Sequence, residues 1–145
     1  MQIATSIKID RPAETVWQVL TAFGHYPKWN PFMKSIKPLE NDKFEIEIEQ
    51  QPGKVTTFRP HIIRMDRAKE LRWLGRLADI PGLFTGEHYF MLEEIDGCTY
   101  LSHGEKFSGI LALILMPFVK KQIEQNFVNM NEALKAFVEK NSKVG

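Results

Sequence analysis

Residues 87–107 read EHYFMLEEIDGCTYLSHGEKF, two runs of alternating side chains around an Asp-Gly pair. The pair Asp96-Gly97 favours a two-residue β-hairpin turn, because both turn positions require a positive φ angle. In that register Ile95 faces Cys98, and His88 faces Glu105. A bulge or a longer turn would shift the register by one residue and separate His88 from Glu105, so the predicted site depends on this turn.

One face of the predicted hairpin combines apolar and ionisable side chains. Alternation with a period of two places on it His88, Phe90, Leu92, Leu101, His103, Glu105 and Phe107. The apolar members indicate that this face looks inward. A carboxylate opposite an imidazole can raise the imidazole pKa and fix its tautomer, as a general acid or base requires. The same groups could anchor the carbonyl or hydroxyl of a ligand, or satisfy one another as a purely structural polar pair.

The chain lacks the sequence patterns of metal and nucleotide sites. His88, His103 and Glu105 are zinc-ligand residue types, but no His-Glu-x-x-His or paired-cysteine spacing accompanies them. No glycine loop for phosphate or nucleotide binding is present either. We therefore predict no metal and no cofactor.

Strand and helix patterns elsewhere follow an α+β order. A helix is predicted from Ala13 to Gly24, and a long helix with a possible kink at Pro117 follows Gly109. Strands are predicted over Gln2–Ile9, Phe32–Leu39, Lys43–Glu49, Lys54–Asp66, Glu70–Leu77, Leu83–Ile95 and Cys98–Phe107. We predict one domain over 1–145, with about seven strands in a curved antiparallel sheet that wraps around the C-terminal helix.

The composition argues against several classes of partner. Nineteen basic and 18 acidic residues among 145 give a formal net charge of +1, so no basic surface for nucleic acid is expected. A single cysteine cannot form a disulfide within the chain. No secretory signal and no apolar run of ~18 residues for a membrane span is present. We expect a cytoplasmic protein without stable membrane insertion.

Several short motifs resemble a known superfamily. They are Pro12–Trp17, Tyr26–Phe32, Glu70–Trp73, Gly86–His88 and Glu105–Gly109. In this order and spacing the sequence resembles the START-like, or Bet v 1-like, helix-grip superfamily, and especially its SRPBCC polyketide cyclase/dehydrase-type branch. The resemblance implies a strand order and a cavity but no particular reaction, because members include enzymes, lipid and quinone binders, and hormone receptors.

A curved sheet covered by one helix leaves a wedge that side chains fill only in part, and such concave apolar sites favour ligands. The resemblance places Trp29 at the entrance. An ordinary place in the core is the alternative for each candidate lining residue. These candidates are Trp29, Trp73, Phe90, His103, Phe107, Phe127, Met130 and Leu134.

Three functions remain open at this stage. The first is a binding or carrier protein for a small hydrophobic molecule that is lipid-, quinone- or polyketide-like. The second is a cyclase/dehydratase-type enzyme, without metal or nucleotide, in which His88 acts as acid or base and Glu105 orients it. The third is an interaction module of the chaperone-activator kind.

The start of the last helix, Ile110–Phe118, is almost wholly apolar and precedes Lys120-Lys121. A helix that is apolar all round is usually buried, and a homodimer interface is a further possibility. Contact with a bilayer during ligand exchange is the alternative. We expect burial or self-association rather than membrane contact.

Overall fold

The computed structural model describes residues 1–141, and the elements below lie within them. In chain order these are β1 (Gln2–Ile9), α1 (Ala13–Thr21), a 3₁₀-helix (Phe23–Lys28), β2 (Met33–Pro38), β3 (Phe44–Gln51), β4 (Lys54–Phe58), β5 (His61–Asp66), β6 (Glu70–Arg76), a second 3₁₀-helix (Leu77–Asp79), β7 (Thr85–Ile95), β8 (Cys98–Ser108) and α2 (Ile110–Asn141). The predicted α+β class with a long C-terminal helix is confirmed. The prediction of one domain over 1–145 extends past residue 141, outside the described residues, and stays a prediction.

The strands form two antiparallel sheets. One has five strands in the order β1-β8-β7-β6-β5, and the other has three in the order β2-β3-β4. The two sheets approach each other near Pro60, whose carbonyl accepts a hydrogen bond from the Phe44 amide over 2.9 Å. Helix α2 packs along β1 and β8 and also contacts β3. The space between the two sheets and α2 is therefore the place where a cavity can lie.

The predicted strand Lys54–Asp66 is wrong in one respect, because it divides into β4 and β5 at Arg59-Pro60. Proline has no amide hydrogen and cannot donate to a strand ladder. The break separates the two sheets and raises the number of strands above the predicted seven. Helix α1 ends at Thr21, before the predicted end at Gly24.

Helix α2 covers the sheet with an apolar stripe. Its buried apolar residues include Ile123, Phe127, Met130, Leu134 and Val138, at steps of three and four. Pro117 lies inside this helix, which runs without division from Ile110 to Asn141.

The expected burial of Ile110–Phe118 is wrong for most of the segment. Ala112 and Met116 are buried, but Ile110, Leu113 and Phe118 are 69%, 70% and 85% exposed. The first turns of α2 therefore present an apolar surface to solvent. None of the described helices has the length and apolar character that crossing a membrane requires.

Candidate functional site

The hairpin of β7 and β8 has the register that the sequence predicts. Asp96 and Gly97 have φ angles of 52° and 76°, as a tight turn of this kind requires. His88 is paired with Glu105, and Phe90 is paired with His103. The three ionisable side chains therefore come together on the inward face of the five-stranded sheet.

Five side chains form one hydrogen-bonded series, which we call the polar chain. Glu105 Oε1 lies 3.0 Å from His88 Nδ1, and His88 Nε2 lies 2.7 Å from His103 Nε2. His103 Nδ1 lies 2.7 Å from Asn131 Oδ1, and Asn131 Nδ2 donates to Thr5 Oγ1 over 2.8 Å. The Thr5 hydroxyl donates to the backbone carbonyl of His103 over 2.6 Å. The polar chain thus links β7, β8, α2 and β1.

The Thr5 end of the polar chain determines which atom carries the hydrogen in each of its hydrogen bonds. Because the Thr5 hydroxyl hydrogen is used on a backbone carbonyl, its oxygen accepts from the Asn131 amide. Asn131 Oδ1 is then free to accept from His103 Nδ1–H. A neutral His103 protonated at Nδ1 has an unprotonated Nε2, so His88 must donate from its own Nε2.

The same logic assigns a proton to Glu105. A neutral His88 that carries its hydrogen on Nε2 has an unprotonated Nδ1, so Glu105 must donate as a carboxylic acid. A carboxylate with an imidazolium is the other possible state. Burial raises the pKa of Glu105 to about 8 and lowers the pKa of His88 to about 3. Both shifts favour the neutral pair over an ion pair at this site.

Aromatic rings enclose the two imidazoles. His103 is stacked between Phe90 and Phe127, with both ring centroids 4.4 Å away. His88 is stacked on Trp73 at 4.9 Å. Burial and the adjacent His88 lower the pKa of His103 well below its usual range, while its hydrogen bond to Asn131 opposes that shift. The environment keeps both imidazoles neutral.

Gly86 provides the space that the Glu105 carboxyl occupies. A Cβ atom built on Gly86 would overlap Glu105 Oε2. Any other residue at position 86 would therefore push the carboxyl out of its place. Oε1 is committed to His88, so Oε2 is the oxygen that Gly86 accommodates.

A cavity of about 100 Å³ lies between the two sheets and α2. Its polar side chains are His88 and Glu105, and part of the Glu105 side chain remains accessible while His88 is almost fully covered. Its apolar wall includes Phe32, Met33, Ile46, Ile48, Phe58, Trp73, Leu77, Phe84, Phe107, Ile123 and Phe127. The site is an apolar cavity with one polar position, the Glu105 carboxyl.

Residues 1–139 match the sequence profile of the family described as "Polyketide cyclase / dehydrase and lipid transport". The chain belongs to this family. The resemblance to the START-like superfamily is thereby confirmed.

Solved structures agree with the family in fold. A START superfamily protein from Mycobacterium smegmatis is 21% identical, with a TM-score of 0.79 over 97% of this chain and 99% of that one. The ZhuI aromatase/cyclase from Streptomyces sp. R1128 is 15% identical, with a TM-score of 0.80 over 99% and 96%. The di-domain aromatase/cyclase BexL from the BE-7585A biosynthetic pathway is 13% identical, with a TM-score of 0.74 over 100% of this chain and 50% of that one. No curated protein is significantly similar to the chain.

This member of the family brings only some of the predicted residues to its cavity. Trp73, Phe107 and Phe127 line it together with His88 and Glu105. Within residues 1–141, the other candidates lie outside the lining and in the core: Trp29, Phe90, His103, Met130 and Leu134. Their contact with a ligand stays a prediction.

Two of these residues have clear structural surroundings. Trp29 is buried and packs on Tyr26 at a centroid distance of 4.9 Å, and its place at the cavity entrance stays a prediction. His103 lies behind His88 and reaches the cavity only through it. Among the described residues, no group of three or more His, Cys, Asp or Glu side chains is arranged to hold a metal ion.

Sequence reasoning missed Asn131, Thr5 and Gly86. Asn131 is 2% exposed and follows Met130 on the apolar stripe of α2, so a polar residue at a buried helical position was the available signal. Thr5 shares the inward face of β1 with Ile3 and Ile9. Gly86 pairs with Phe107 in the hairpin, but nothing in the sequence reveals that a carboxyl fills its side-chain space.

Proposed function

We propose that this protein binds a small hydrophobic molecule that carries a hydroxyl group, and that it acts as a carrier for that molecule. The observation that supports this proposal is the Glu105 carboxyl in the wall of an otherwise apolar cavity. Ligand sites commonly combine an apolar lining with a few polar groups that fix orientation. Phenolic polyketides, quinols and lipid alcohols share the required chemistry.

The direction of the polar chain favours a hydroxyl over a carbonyl on the ligand. When Glu105 donates from Oε1 to His88, its Oε2 is a carbonyl-type oxygen that can only accept a hydrogen bond. A ligand hydroxyl can donate to this oxygen, whereas a ligand ketone or ether cannot. The buried acceptor therefore selects for a donor.

The cavity must enlarge to hold a ligand of ordinary size. Its volume of about 100 Å³ is below the roughly 300–1,000 Å³ typical of ligand sites. Its walls come from two separate sheets, with Ile46 and Ile48 on one and Trp73 and Phe107 on the other. We expect the ligand to separate these walls, with the break at Pro60 as the flexible joint.

The test compares naphthol with its methyl ether, methoxynaphthalene, by calorimetric titration. We expect naphthol to bind more tightly, by up to about tenfold, since one net hydrogen bond contributes roughly 0.5–1.5 kcal/mol. Glu105→Gln should retain the preference, because its amide can donate to His88 and its carbonyl can accept from the ligand. Glu105→Leu should abolish it. Equal affinities for both compounds in the unaltered protein would overturn the proposal.

A second candidate function is a cyclase/dehydratase-type enzyme, and the protonated state of Glu105 favours it. A buried carboxyl whose pKa lies at about 8 can serve as a general acid near neutral pH. Here Glu105, the group at the cavity surface, would touch the substrate, and His88 would position it, the reverse of the roles expected from sequence. Dehydration would require the carboxyl to turn so that its protonated oxygen faces the substrate instead of His88. That proton would pass to the departing hydroxyl, and the resulting carboxylate would take a proton from substrate carbon.

The variant Glu105→Gln separates the two functions. A carrier should keep its ligand affinity in this variant, because the hydrogen-bonding pattern is preserved. An enzyme should lose turnover, because an amide cannot move a proton at this position. The readout is native mass spectrometry of the gently purified protein, which reports a co-purified ligand, followed by incubation and a search for loss of water from it.

A further inference from the structure

Six exposed apolar side chains lie on two adjoining segments, the first turns of α2 and the loop that follows β6. We call this surface the apolar tip, and its members are Leu77, Ile80, Ile110, Leu113, Ile114 and Phe118. The Ile110 amide donates to the Gly82 carbonyl over 3.1 Å, and the Leu111 amide donates to the Leu83 carbonyl over 2.9 Å. These backbone hydrogen bonds hold the loop against the start of the helix, so the two segments lie side by side.

The apolar tip is too exposed to be part of the core. Phe118 is 85% exposed and Leu113 is 70% exposed, although both are large apolar side chains. Single exposed apolar residues are common, whereas a contiguous group of this size marks an interaction surface.

The apolar tip adjoins the cavity. Leu77 belongs both to the tip and to the cavity lining, and Phe84 and Ile123 line the cavity from the same loop and the same helix. A hydrophobic molecule that leaves the cavity past Leu77 would therefore reach the apolar tip before it reached bulk water.

The charges around the apolar tip favour an anionic partner. Residues 76–83 and 110–122 contain three cations, Arg76, Lys120 and Lys121, and one carboxylate, Asp79. Positions 110, 114, 118 and 121 recur at helical spacing, so Lys121 extends the exposed stripe at its end. Lysines at the edge of an apolar stripe can reach lipid headgroups while the apolar side chains enter the acyl region.

A second copy of the chain fits this surface less well. A two-fold interface centred on residues 110–122 would bring four lysines together, and the two Asp79 carboxylates from the adjoining loop could pair with at most half of them. Burying unpaired charge is costly. An anionic bilayer leaves the lysines at its hydrated surface and accepts the apolar side chains.

We infer that the apolar tip docks on an anionic lipid bilayer and brings the mouth of the cavity to the membrane surface. Docking itself is independent of the proposed function, but its use for uptake or delivery of a hydrophobic ligand rests on that function. It is peripheral binding, which agrees with the absence of a membrane-spanning helix among the described residues.

The test is flotation of the purified protein with phosphatidylcholine vesicles, with and without added phosphatidylglycerol. We expect binding to the mixed vesicles and at least about fivefold weaker binding to phosphatidylcholine alone, because lysines near an anionic surface are attracted to it. Leu113→Ser with Phe118→Ser should weaken binding at least about tenfold, given the apolar area removed from the bilayer. Lys120→Gln with Lys121→Gln should remove the preference for phosphatidylglycerol.

The matched control is Ile95→Ser with Tyr100→Ser, which removes one aliphatic and one aromatic side chain. These residues are 47% and 42% exposed and lie at the opposite end of the β7–β8 hairpin from Thr85. This control should bind vesicles as the unaltered protein does. Equal binding by the tip variant and the control would overturn the inference, as would no binding of the unaltered protein to either vesicle.

Sedimentation velocity supplies a second readout. A dimer of the unaltered protein that Leu113→Ser with Phe118→Ser converts to monomer would assign the apolar tip to self-association and overturn the inference. Naphthol titration of the tip variant keeps the two proposals distinguishable. If the tip variant keeps its affinity for naphthol but no longer binds vesicles, docking is supported. If the unaltered protein shows no preference for naphthol over methoxynaphthalene, the proposed function alone is overturned.

Discussion

The Nε2 atoms of His88 and His103 lie 2.7 Å apart, so one imidazole donates a hydrogen to the other. The Thr5 and Asn131 side chains settle the direction, since their own hydrogens are already placed. His88 is therefore the donor and His103 the acceptor. Because burial keeps His88 neutral, this relationship makes Glu105 a protonated donor to His88 Nδ1, and Glu105 is the group that faces the cavity.

Ring-nitrogen NMR tests this assignment directly. At neutral pH we expect His88 to be a neutral imidazole with its hydrogen on Nε2, and His103 to be neutral with its hydrogen on Nδ1. The measurement is the pair of ¹⁵N chemical shifts for each ring in uniformly labelled protein. His25 lies outside the polar chain and provides an internal reference for a histidine without these constraints. A His88 ring with a hydrogen on Nδ1 would contradict the assignment.

Asn131 is expected to stabilise the fold through the polar chain. Asn131→Leu leaves the His103 Nδ1–H without its acceptor and the Thr5 oxygen without its donor. Leaving a buried polar group unpaired costs about 1–3 kcal/mol, so we expect a loss of that size in the free energy of unfolding from urea titration. The matched control is Asn129→Leu on the exposed face of the same helix, where the change should be below about 0.5 kcal/mol. Equal losses for the two variants would contradict a structural role for the polar chain.

The facing of His88 and Glu105 could be read from the sequence because it depends on local chemistry. Asp96-Gly97 determines the turn, the turn determines the register, and the register determines which side chains share a face. The stripe at Ile123, Phe127, Met130 and Leu134 was predictable for the same reason, since helical spacing is a local property.

The rest of the site depends on contacts between distant parts of the chain. Asn131 reaches His103 and Thr5 only because α2 packs across β1 and β8, and no local pattern encodes that crossing. The exposure of Phe118 likewise depends on where α2 extends past the sheet, because the apolar composition of its first turns predicts burial. Local periodicity in the sequence predicts which residues share a face of a helix or strand. Which of these faces contact one another depends on tertiary packing.

Gly86 is expected to determine whether the Glu105 carboxyl reaches His88. Gly86→Ala places a methyl group where Oε2 lies, so the carboxyl must move and its hydrogen bond to His88 must lengthen or break. We expect a loss of about 1–3 kcal/mol in the free energy of unfolding, because the buried His88 Nδ1 loses its partner, together with a loss of the preference for naphthol over methoxynaphthalene.

The matched control for Gly86 is Gly75→Ala, another strand residue that lines the cavity. A Cβ atom there would lie 3.6 Å from the Pro60 Cβ atom, an ordinary contact. Neither glycine has a positive φ angle, so backbone strain does not distinguish the two substitutions. Retention of the naphthol preference in Gly86→Ala would show that the glycine does not position the carboxyl.

The pH dependence of stability follows from the opposite shifts of Glu105 and His88. Glu105 has a pKa of about 8 in the folded protein against 4.5 for an ordinary glutamate, so the folded state holds a proton that the unfolded state releases in this range. Its contribution to stability is therefore complete below pH 4.5 and is lost as the pH rises towards 8. His88 has a pKa of about 3 against 6.5, so its contribution is complete above pH 6.5 and is lost as the pH falls.

Above pH 6.5 the contribution of Glu105 is the one that falls with pH, and comparison with Glu105→Gln isolates it. Between pH 6.5 and 8 we expect the free energy of unfolding of the unaltered protein to fall relative to that of the variant, because glutamine does not titrate. The slope should be at most about 1.4 kcal/mol per pH unit for one proton. It will be smaller to the extent that the exposed fifth of the Glu105 side chain is solvated in the cavity.

Urea titrations at a series of pH values measure the difference, and Glu87→Gln on the outer face of β7 is the control that should run parallel to the unaltered protein. Parallel curves for the unaltered protein and Glu105→Gln would mean that Glu105 is already ionised throughout this range, and the neutral pair with His88 would then be wrong.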